Sequence, residues 1–262
     1  MTTATITSNI TTASICRFFA EYASYMLGCG ATCIRIDRNM ERMARTIDAT
    51  IDMTILPSHI LITMTDNHTG ETSHHSSSIA RIPVNYDMNT RLSKLSWLVA
   101  EHRLDLSEAA GVFRHIIHSK PMNPWAVMGL VVLANASFCR LFGGDFNAMG
   151  IVSFATLIGY SLKNILLGRH TDIKLTFLAC SFISATIGCA GHLFGLSSTA
   201  DIALGTSVLY LIPGIPYINS VSDLLDGHYL CSFSRFAHAT VLTACIALGL
   251  TGGILLMKLN VF

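Results

Sequence analysis

The sequence predicts a membrane α-helical bundle of about five transmembrane helices, preceded by a small cytoplasmic α+β domain. The first reason is composition: 51% of the 262 residues are hydrophobic and 13% are charged, whereas a soluble protein has roughly 25% charged residues. The mean hydropathy is +0.52. The second reason is uneven charge, because 22 of the 33 charged residues lie in residues 1–122. We therefore expect a water-facing domain over 1–122 and a transmembrane domain over 123–262.

The first 122 residues alternate between helix-type and strand-type patterns. The clearest helix is predicted where Ile36, Met40 and Met43 recur at helical spacing on one face and arginines occupy the other. Residues 1–15 lack the cation and the apolar run of a secretory signal, so we expect this domain to stay in the cytoplasm. The predicted order is two helices, three strands and two helices, over 14–28, 34–48, 50–56, 59–65, 78–84, 89–103 and 107–119.

Five apolar stretches of the second half are long enough to span a bilayer, which takes about 20 residues. The loop 164–174 carries Arg169 and Lys174. The turn 196–202 has no cation. Because cytoplasmic loops carry the excess of Lys and Arg, we expect the amino terminus in the cytoplasm and the carboxyl terminus outside. The predicted spans are 124–143, 146–163, 174–195, 203–222 and 236–257.

The fourth span contains the helix-breaking sequence Pro-Gly-Ile-Pro. Pro213 and Pro216 each lack a backbone N–H and clash with the preceding turn, and Gly214 tolerates dihedrals that a helix does not use. We therefore predict that the run from Tyr210 to Asn219 is unwound within the bilayer. Backbone groups freed at that depth are tolerated only where they face protein or a water-filled cavity, and transporters bind solutes at such breaks.

Polar residues follow the break at helical spacing. Asn219, Asp223 and Asp226 are four and three residues apart, so they share one face if the helix resumes. An ionisable group within a membrane indicates a functional site by default, although a proline kink with both aspartates solvated at the cytoplasmic edge fits the same residues. Lys163 and Asn164, at the end of the second span, are candidates to meet an anionic or zwitterionic solute or to act as topology anchors.

Signatures of enzymes and metal sites are lacking in the sequence. It contains no P-loop, GxSxG or HExxH element. His115 and His118 lie three apart and His74 adjoins His75, but no Cys or carboxylate completes either pair at a recognised spacing. The eight cysteines are scattered, which is typical of reduced thiols, and the net charge of +1 argues against nucleic-acid binding. We predict a protein that is not an enzyme, has no cofactor or metal, and binds no nucleic acid.

Two segments resemble the threonine/serine exporter family of bacterial inner-membrane proteins. The segment Gly28-Cys-Gly-Ala-Thr-Cys-Ile-Arg35, with the helix that follows to Ala44, is similar to that family's small-Gly-Ala-x-x-x-Arg opening. Its Pro-Gly-x-Pro-x-x-Asn signature is matched by the segment Pro213-Gly-Ile-Pro-Tyr-Ile-Asn219, continued by Asp223, Asp226, Gly227 and Arg235. The order of a cytoplasmic domain and then five spans also fits, so the resemblance covers nearly the whole chain.

The resemblance implies a subunit of a secondary transporter that exports threonine and serine, or C4-dicarboxylates such as succinate, coupled to the proton gradient. It also implies the split form of the family, completed by a second small membrane subunit, by a homo-oligomer, or by both. Amides freed at Gly214 and Ile215 would hold a carboxylate, and Asp223 would couple protons or bind an amine. The predicted substrate site is Pro213, Gly214, Ile215, Pro216, Asn219 and Asp223, with Arg35, Lys163, Asn164, Asp226 and Arg235 as accessory residues.

The alternative is a membrane-anchored metabolite sensor or enzyme whose activity lies in the cytoplasmic domain. In that case the spans only tether the domain to the membrane and bring copies of it together. A tether has no need for a proline-glycine break or for polar groups at mid-depth, so the sequence favours the transporter.

Overall fold

The computed structural model describes residues 11–120 and 122–257 and contains two compact units. Unit 1 consists of the described residues of Met1–Lys120 and Ile215–Phe236, and unit 2 of those of Pro121–Gly214 and Ala237–Phe262. The division into domains 1–122 and 123–262 stays a prediction. Residues 1–10, where the expectation of no secretory signal mostly falls, and the carboxyl-terminal residues expected outside the cell are beyond the described ranges.

Unit 1 contains a three-stranded antiparallel sheet and four helices from the amino-terminal part of the chain. They are α1 (Thr12–Gly28), α2 (Cys33–Arg45), β1 (Ala49–Ile55), β2 (His59–Asp66), β3 (Thr72–Ser78), α3 (Tyr86–Ala100) and α4 (Leu106–Ile117). The strand order is β1-β2-β3, with Ile51 opposite Met64 and Ile62 opposite His75. Helix α1 packs on β2 and β3, and α2 packs on β1 and α3. The core between these layers includes Phe19, Tyr22, Ile36, Ile60 and Met64.

Helix α2 shows the amphipathic arrangement that its sequence predicts. Ile36, Met40 and Met43 are buried in the core, whereas Arg35 and Arg38 are exposed. Burying such side chains stabilises a fold by about 1.5–3 kcal/mol each relative to exposure. The apolar stripe therefore determines which face of α2 packs against the sheet.

The third strand lies earlier in the chain than the sequence predicts. The strand expected over 78–84 is wrong, and β3 forms instead from Thr72–Ser78, within a stretch predicted to be a turn. This strand has no apolar alternation, and its structure comes from pairing with β2. The hairpin between them is closed by Asp66 Oδ1, which accepts hydrogen bonds from the N–H groups of His68 (2.8 Å) and Thr69 (3.4 Å).

The remaining helices follow α4 in chain order. They are α5 (Pro124–Leu141), α6 (Phe146–Gly168), α7 (Ile173–Leu193), α8 (Ala200–Thr206), α9 (Gly214–Leu225) and α10 (Tyr229–Leu256), with a 3₁₀ turn at Leu209–Leu211. Within the described residues, α5, α6, α7 and α10 are long and apolar enough to cross a membrane. The expected count of five spans is reached only if Ala200–Leu211 and Gly214–Leu225 together form one interrupted span.

Buried polar side chains connect the helices of unit 2. Asn135 on α5 donates from Nδ2 to Thr156 Oγ1 on α6 (2.6 Å) and to Thr206 O at the end of α8 (3.2 Å). Asp145 caps α6 by accepting from Ala148 N (2.6 Å) and also accepts from Ser197 Oγ (2.8 Å). Polar groups in apolar bundles need such partners, so these bonds determine where α8 and the 3₁₀ turn after it lie against α5 and α6.

Candidate functional site

The helical stretch from Ala200 to Leu225 is interrupted at Ile212 and Pro213. Ile212 has φ −58° and ψ 125°, the extended conformation favoured before a proline, and Pro213 has no N–H to continue the ladder. Helix α9 then begins at Gly214, with Pro216 in its first turn, where the lack of an N–H costs no helical bond. The interruption is therefore shorter than predicted: residues from Gly214 to Asn219 are helical, and the expectation of an unwound run from Tyr210 to Asn219 is wrong.

Only one of the two amides predicted to be free at the break is free. The N–H of Gly214 donates to Ile212 O at 2.9 Å, which corrects the expectation for that residue. The N–H of Ile215 has no acceptor in the described part of the chain. A Cβ placed on Gly214 would meet no atom within 4 Å, so there is open space beside the start of α9.

Asn219 and Asp223 share a buried face of α9, as their spacing predicts, and this face contacts the segment between α1 and α2. Asn219 Nδ2 donates to Gly30 O at 2.8 Å. Asp223 is fully buried, and its Oδ1 accepts from the N–H of Cys33 at 2.9 Å. Both contacts lie within unit 1. They join the two segments that carry the family resemblance, although about 190 residues separate them along the chain.

Asp223 acts as the missing cap of α2. The residue before this helix, Thr32, makes no capping hydrogen bond from its side chain, and Cys33 is the first helical residue. The free N–H groups and the dipole make a helix N-terminus favourable for a carboxylate. Here the carboxylate of α9 takes that place, so α9 is tied to the start of α2.

Arg235 on α10 completes this arrangement. Its Nη1 lies 2.9 Å from Asp223 Oδ2, and its Nη2 donates to Ala31 O at 2.7 Å. Apart from each other, Asp223 Oδ2 and Arg235 Nη1 have no polar partner among the described residues. The ion pair therefore compensates two charges in a mostly buried setting, where either charge alone would be costly.

Glycines let the α1–α2 segment approach its neighbours closely. Gly30 has φ +97°, which L-residues rarely adopt, and a Cβ there would lie 2.9 Å from Val84 Cγ1. A Cβ on Gly28 would overlap the carbonyl oxygen of Ala80. The glycines of the sequence motif thus allow Gly30 O to face Asn219, and the motif has a packing role in this structure.

We expect Gly30→Ala to lower the free energy of unfolding by about 1–3 kcal/mol, because it adds strain at positive φ and a contact with Val84. The matched control is Gly70→Ala, since Gly70 has φ +71° and no atom within 4 Å of an added Cβ. Denaturant unfolding of the full chain in detergent gives both values. Equal losses in the two variants would contradict a packing role for Gly30.

The other predicted residues lie apart from this cluster. Asp226 follows the end of α9 and is exposed, because the helix ends at Leu225 before the predicted spacing is completed. Arg35 is exposed and donates to Asn89 Oδ1 at 3.1 Å. Lys163 and Asn164 lie on α6 in unit 2, where Lys163 is half-buried and Asn164 is exposed.

Sequence reasoning missed two further contacts of the α9–α10 region. His228 Nε2, in the turn between these helices, lies 3.1 Å from Asp37 Oδ2 on α2. Burial raises the pKa of Asp37, and His228 opposes that rise. The hydrogen bond with Cys231, burial and the Asp223 carboxylate raise the pKa of the Cys33 thiol, which is consistent with a reduced, unreactive cysteine. No periodicity in the sequence indicates such pairs.

A metal centre is not formed by the described residues. Across residues 11–120 and 122–257, no group of three or more His, Cys, Asp or Glu side chains is placed to hold a metal ion. The eight cysteines are all free thiols, and seven of them are buried.

Comparisons with known proteins show the family of the chain. Residues 17–257 match the model of the family described as "Putative threonine/serine exporter" (ThrE). The chain belongs to the ThrE family. It is 28% identical to the "Probable succinate transporter subunit YjjP" of Klebsiella aerogenes over 241 residues, which is 90% of this chain and 91% of that protein. The identity to the protein of the same name from Escherichia coli K12 is also 28%, over 240 residues, 90% of this chain and 92% of that protein. No solved structure matches the chain.

Membership of the ThrE family confirms the resemblance drawn from the two motifs. Together with the apolar helices, it supports a multi-pass membrane protein with a function in transport and export. A transporter family also favours a protein that is not an enzyme.

Proposed function

We propose that this chain is a subunit of a secondary transporter that exports small carboxylate metabolites, either C4-dicarboxylates such as succinate or threonine and serine. The observation that carries the proposal is the interruption at Ile212 and Pro213 in a chain of the ThrE family. The relatives named as succinate transporter subunits support a dicarboxylate, and the family description supports an amino acid. Both solute classes have at least one carboxylate in common.

The proposed solute site lies at the interruption and includes Pro213, Gly214, Ile215 and Pro216. Two features support it: the open space beside Gly214 and the N–H of Ile215, which has no acceptor among the described residues. The start of α9 has the positive end of the helix dipole, which favours a carboxylate. Transporters with interrupted helices bind anionic groups at such ends.

We include Asn219 and Asp223 in this site as residues that hold α9 in place. In the structure, Asp223 has both oxygens engaged, so an amine or an incoming proton must displace Arg235 or the N–H of Cys33. Similarly, the hydrogen bond from Asn219 Nδ2 to Gly30 O has to break before Nδ2 can donate to a solute. Direct contact of Asn219 or Asp223 with a solute therefore requires the α1–α2 segment to move.

The proposed setting is a bacterial inner membrane, with the amino terminus in the cytoplasm and the carboxyl terminus outside. The cationic loop at Arg169 and Lys174 supports this orientation under the positive-inside rule. We also propose that a second small membrane subunit or further copies of this chain complete the transporter. The names of the relatives support a partner, since each is called a subunit.

The test is efflux from proteoliposomes that contain the full chain with and without the membrane protein encoded beside it. We expect efflux of succinate, threonine or serine that requires both proteins and responds to a proton gradient. Gly214→Leu should reduce this efflux because its side chain fills the open space, whereas Gly205→Leu, also without neighbours within 4 Å, serves as the control. The proposal is wrong if the paired proteins release none of the three solutes.

A further inference from the structure

Lys163 is a half-buried cation in the apolar helices of unit 2. It lies on α6, and its Nζ is 5.5 Å from the ring centroid of Tyr160 and 5.5 Å from that of Phe177 on α7. Within residues 11–120 and 122–257, no carboxylate lies within ion-pair distance of it and no hydrogen bond engages it. Cation–π contacts with two rings are its described interactions.

Such a cation needs an explanation, because an ionisable side chain within a membrane helix is costly and indicates a functional site by default. Lysines near helix ends often reduce this cost by extending their ammonium group to the nearer interface. Lys163 is five residues before Gly168, the end of α6, a rise of about 7.5 Å. Its ammonium group lies over the ring of Tyr160, one turn earlier on the same helix, and over that of Phe177, four residues after the first residue of α7.

Two hydroxyl groups lie next to the ring that Lys163 contacts. The Tyr160 ring packs edge-on against the Tyr210 ring, with centroids 6.4 Å apart. Tyr210 Oη is hydrogen-bonded to Ser184 Oγ on α7 at 3.0 Å. A Cβ on Gly159 would overlap both hydroxyl oxygens, so the glycine gives them room against α6.

The position of Tyr210 connects this cluster to the interruption. Tyr210 is in the 3₁₀ turn Leu209–Leu211, which ends directly before Ile212 and Pro213. The Tyr160 ring thus contacts both the ammonium group of Lys163 and the ring of Tyr210, whose hydroxyl pairs with that of Ser184, next to the interrupted helix. A cation with adjacent hydroxyl donors is the combination that binds a carboxylate through charge-assisted hydrogen bonds.

We propose that Lys163, Tyr210 and Ser184 form a binding subsite for one carboxylate of the exported solute. The inference rests on the proposed export function and specifies the chemistry of recognition in unit 2. The ammonium group supplies the charge, and the Tyr210–Ser184 pair supplies a hydroxyl that turns from its partner to the carboxylate. Tyr160 and Phe177 keep the ammonium group in an apolar setting, where its attraction for an anion is strong.

The experiment measures the concentration dependence of succinate efflux in proteoliposomes with the partner subunit present. Loss of a hydrogen bond to a charged group costs about 1.5–3 kcal/mol, so Lys163→Gln should raise the KM about tenfold or more. Lys163→Arg should retain most of the affinity, and Tyr210→Phe should raise the KM to a smaller extent. Lys174→Gln is the matched control, since Lys174 is an exposed lysine at the start of α7. An unchanged KM for Lys163→Gln would overturn the subsite.

A second measurement separates this inference from the export proposal. The purified complex is treated with an amine-reactive anionic reagent, and labelling of Lys163 and Lys174 is followed by mass spectrometry with and without succinate, serine or inorganic phosphate. We expect succinate and serine to protect Lys163 and leave Lys174 unaffected. Protection of Lys163 by succinate or serine without any efflux would support the subsite and contradict the export proposal. Protection by phosphate alone, which would indicate a lipid phosphate site, or absence of protection by any of the three would overturn the inference.

Discussion

We expect Asp223→Ala to lower the free energy of unfolding by about 3–5 kcal/mol, because removing one partner of a buried ion pair leaves the other charge uncompensated. Asp223 is fully buried and 2.9 Å from Arg235 Nη1, which has no other polar partner in the described residues. The variant also removes the acceptor of Cys33 N–H at the start of α2. Both losses affect the same contact between α9 and the α1–α2 segment.

The measurement is denaturant unfolding of the full chain in detergent, followed by the fluorescence of Trp97 on α3. The chain has two tryptophans, so a Trp125→Phe background assigns the signal to unit 1. Asp226→Ala is the control, because Asp226 is exposed and the substitution should change stability by no more than about 0.5 kcal/mol. Equal unfolding midpoints for the two variants would show that Asp223 does not anchor α9.

A double variant separates anchoring from a direct action on the solute. Asp223→Leu combined with Arg235→Leu removes both charges, and such replacements are often neutral or stabilising compared with a broken pair. We expect this variant to recover much of the stability that Asp223→Ala loses. If it is stable and still exports nothing, Asp223 or Arg235 acts on the solute as well as on the fold.

The sequence predicted the long elements well because their signals are local. Twenty apolar residues indicate a membrane span whatever surrounds them, and the spacing of Ile36, Met40 and Met43 indicates the buried face of α2. Strand β3 has neither signal. Its residues Thr72–Ser78 are polar, and their conformation is imposed by β2 and by the turn at Asp66, so no pattern within the segment predicts it.

The shared helix face of Asn219 and Asp223 was predictable from the sequence, but the partners of these residues were not. The spacing of Asn219 and Asp223 places both on one face of α9, and in the structure both side chains are buried. Their partners are the backbone atoms Gly30 O and Cys33 N. Every residue has such backbone atoms, so no sequence pattern indicates which of them are bonded. The extent of the interruption was also missed, because Pro216 fits the first turn of a new helix as well as it fits a break.

Close packing of α7 and α10 in unit 2 depends on glycine. A Cβ on Gly249 would overlap Ser181 Oγ and Leu178 O and would lie 2.9 Å from Phe182 N. Two of these three atoms belong to the backbone of α7, which cannot rotate aside as a side chain can. Small residues allow such close approach of helices in membranes, where van der Waals packing between helices is a main source of association.

We therefore expect Gly249→Ala to destabilise unit 2 by about 3 kcal/mol, because α10 has to move away from α7 along their contact. The matched control is Gly150→Ala on α6, where an added Cβ meets no atom within 4 Å and better helix propensity adds up to about 1 kcal/mol of stability. Unfolding in detergent is followed at Trp125 in a Trp97→Phe background. Because the added methyl group is the same in both variants, an equal response would mean that α7 and α10 are not closely packed in the native protein.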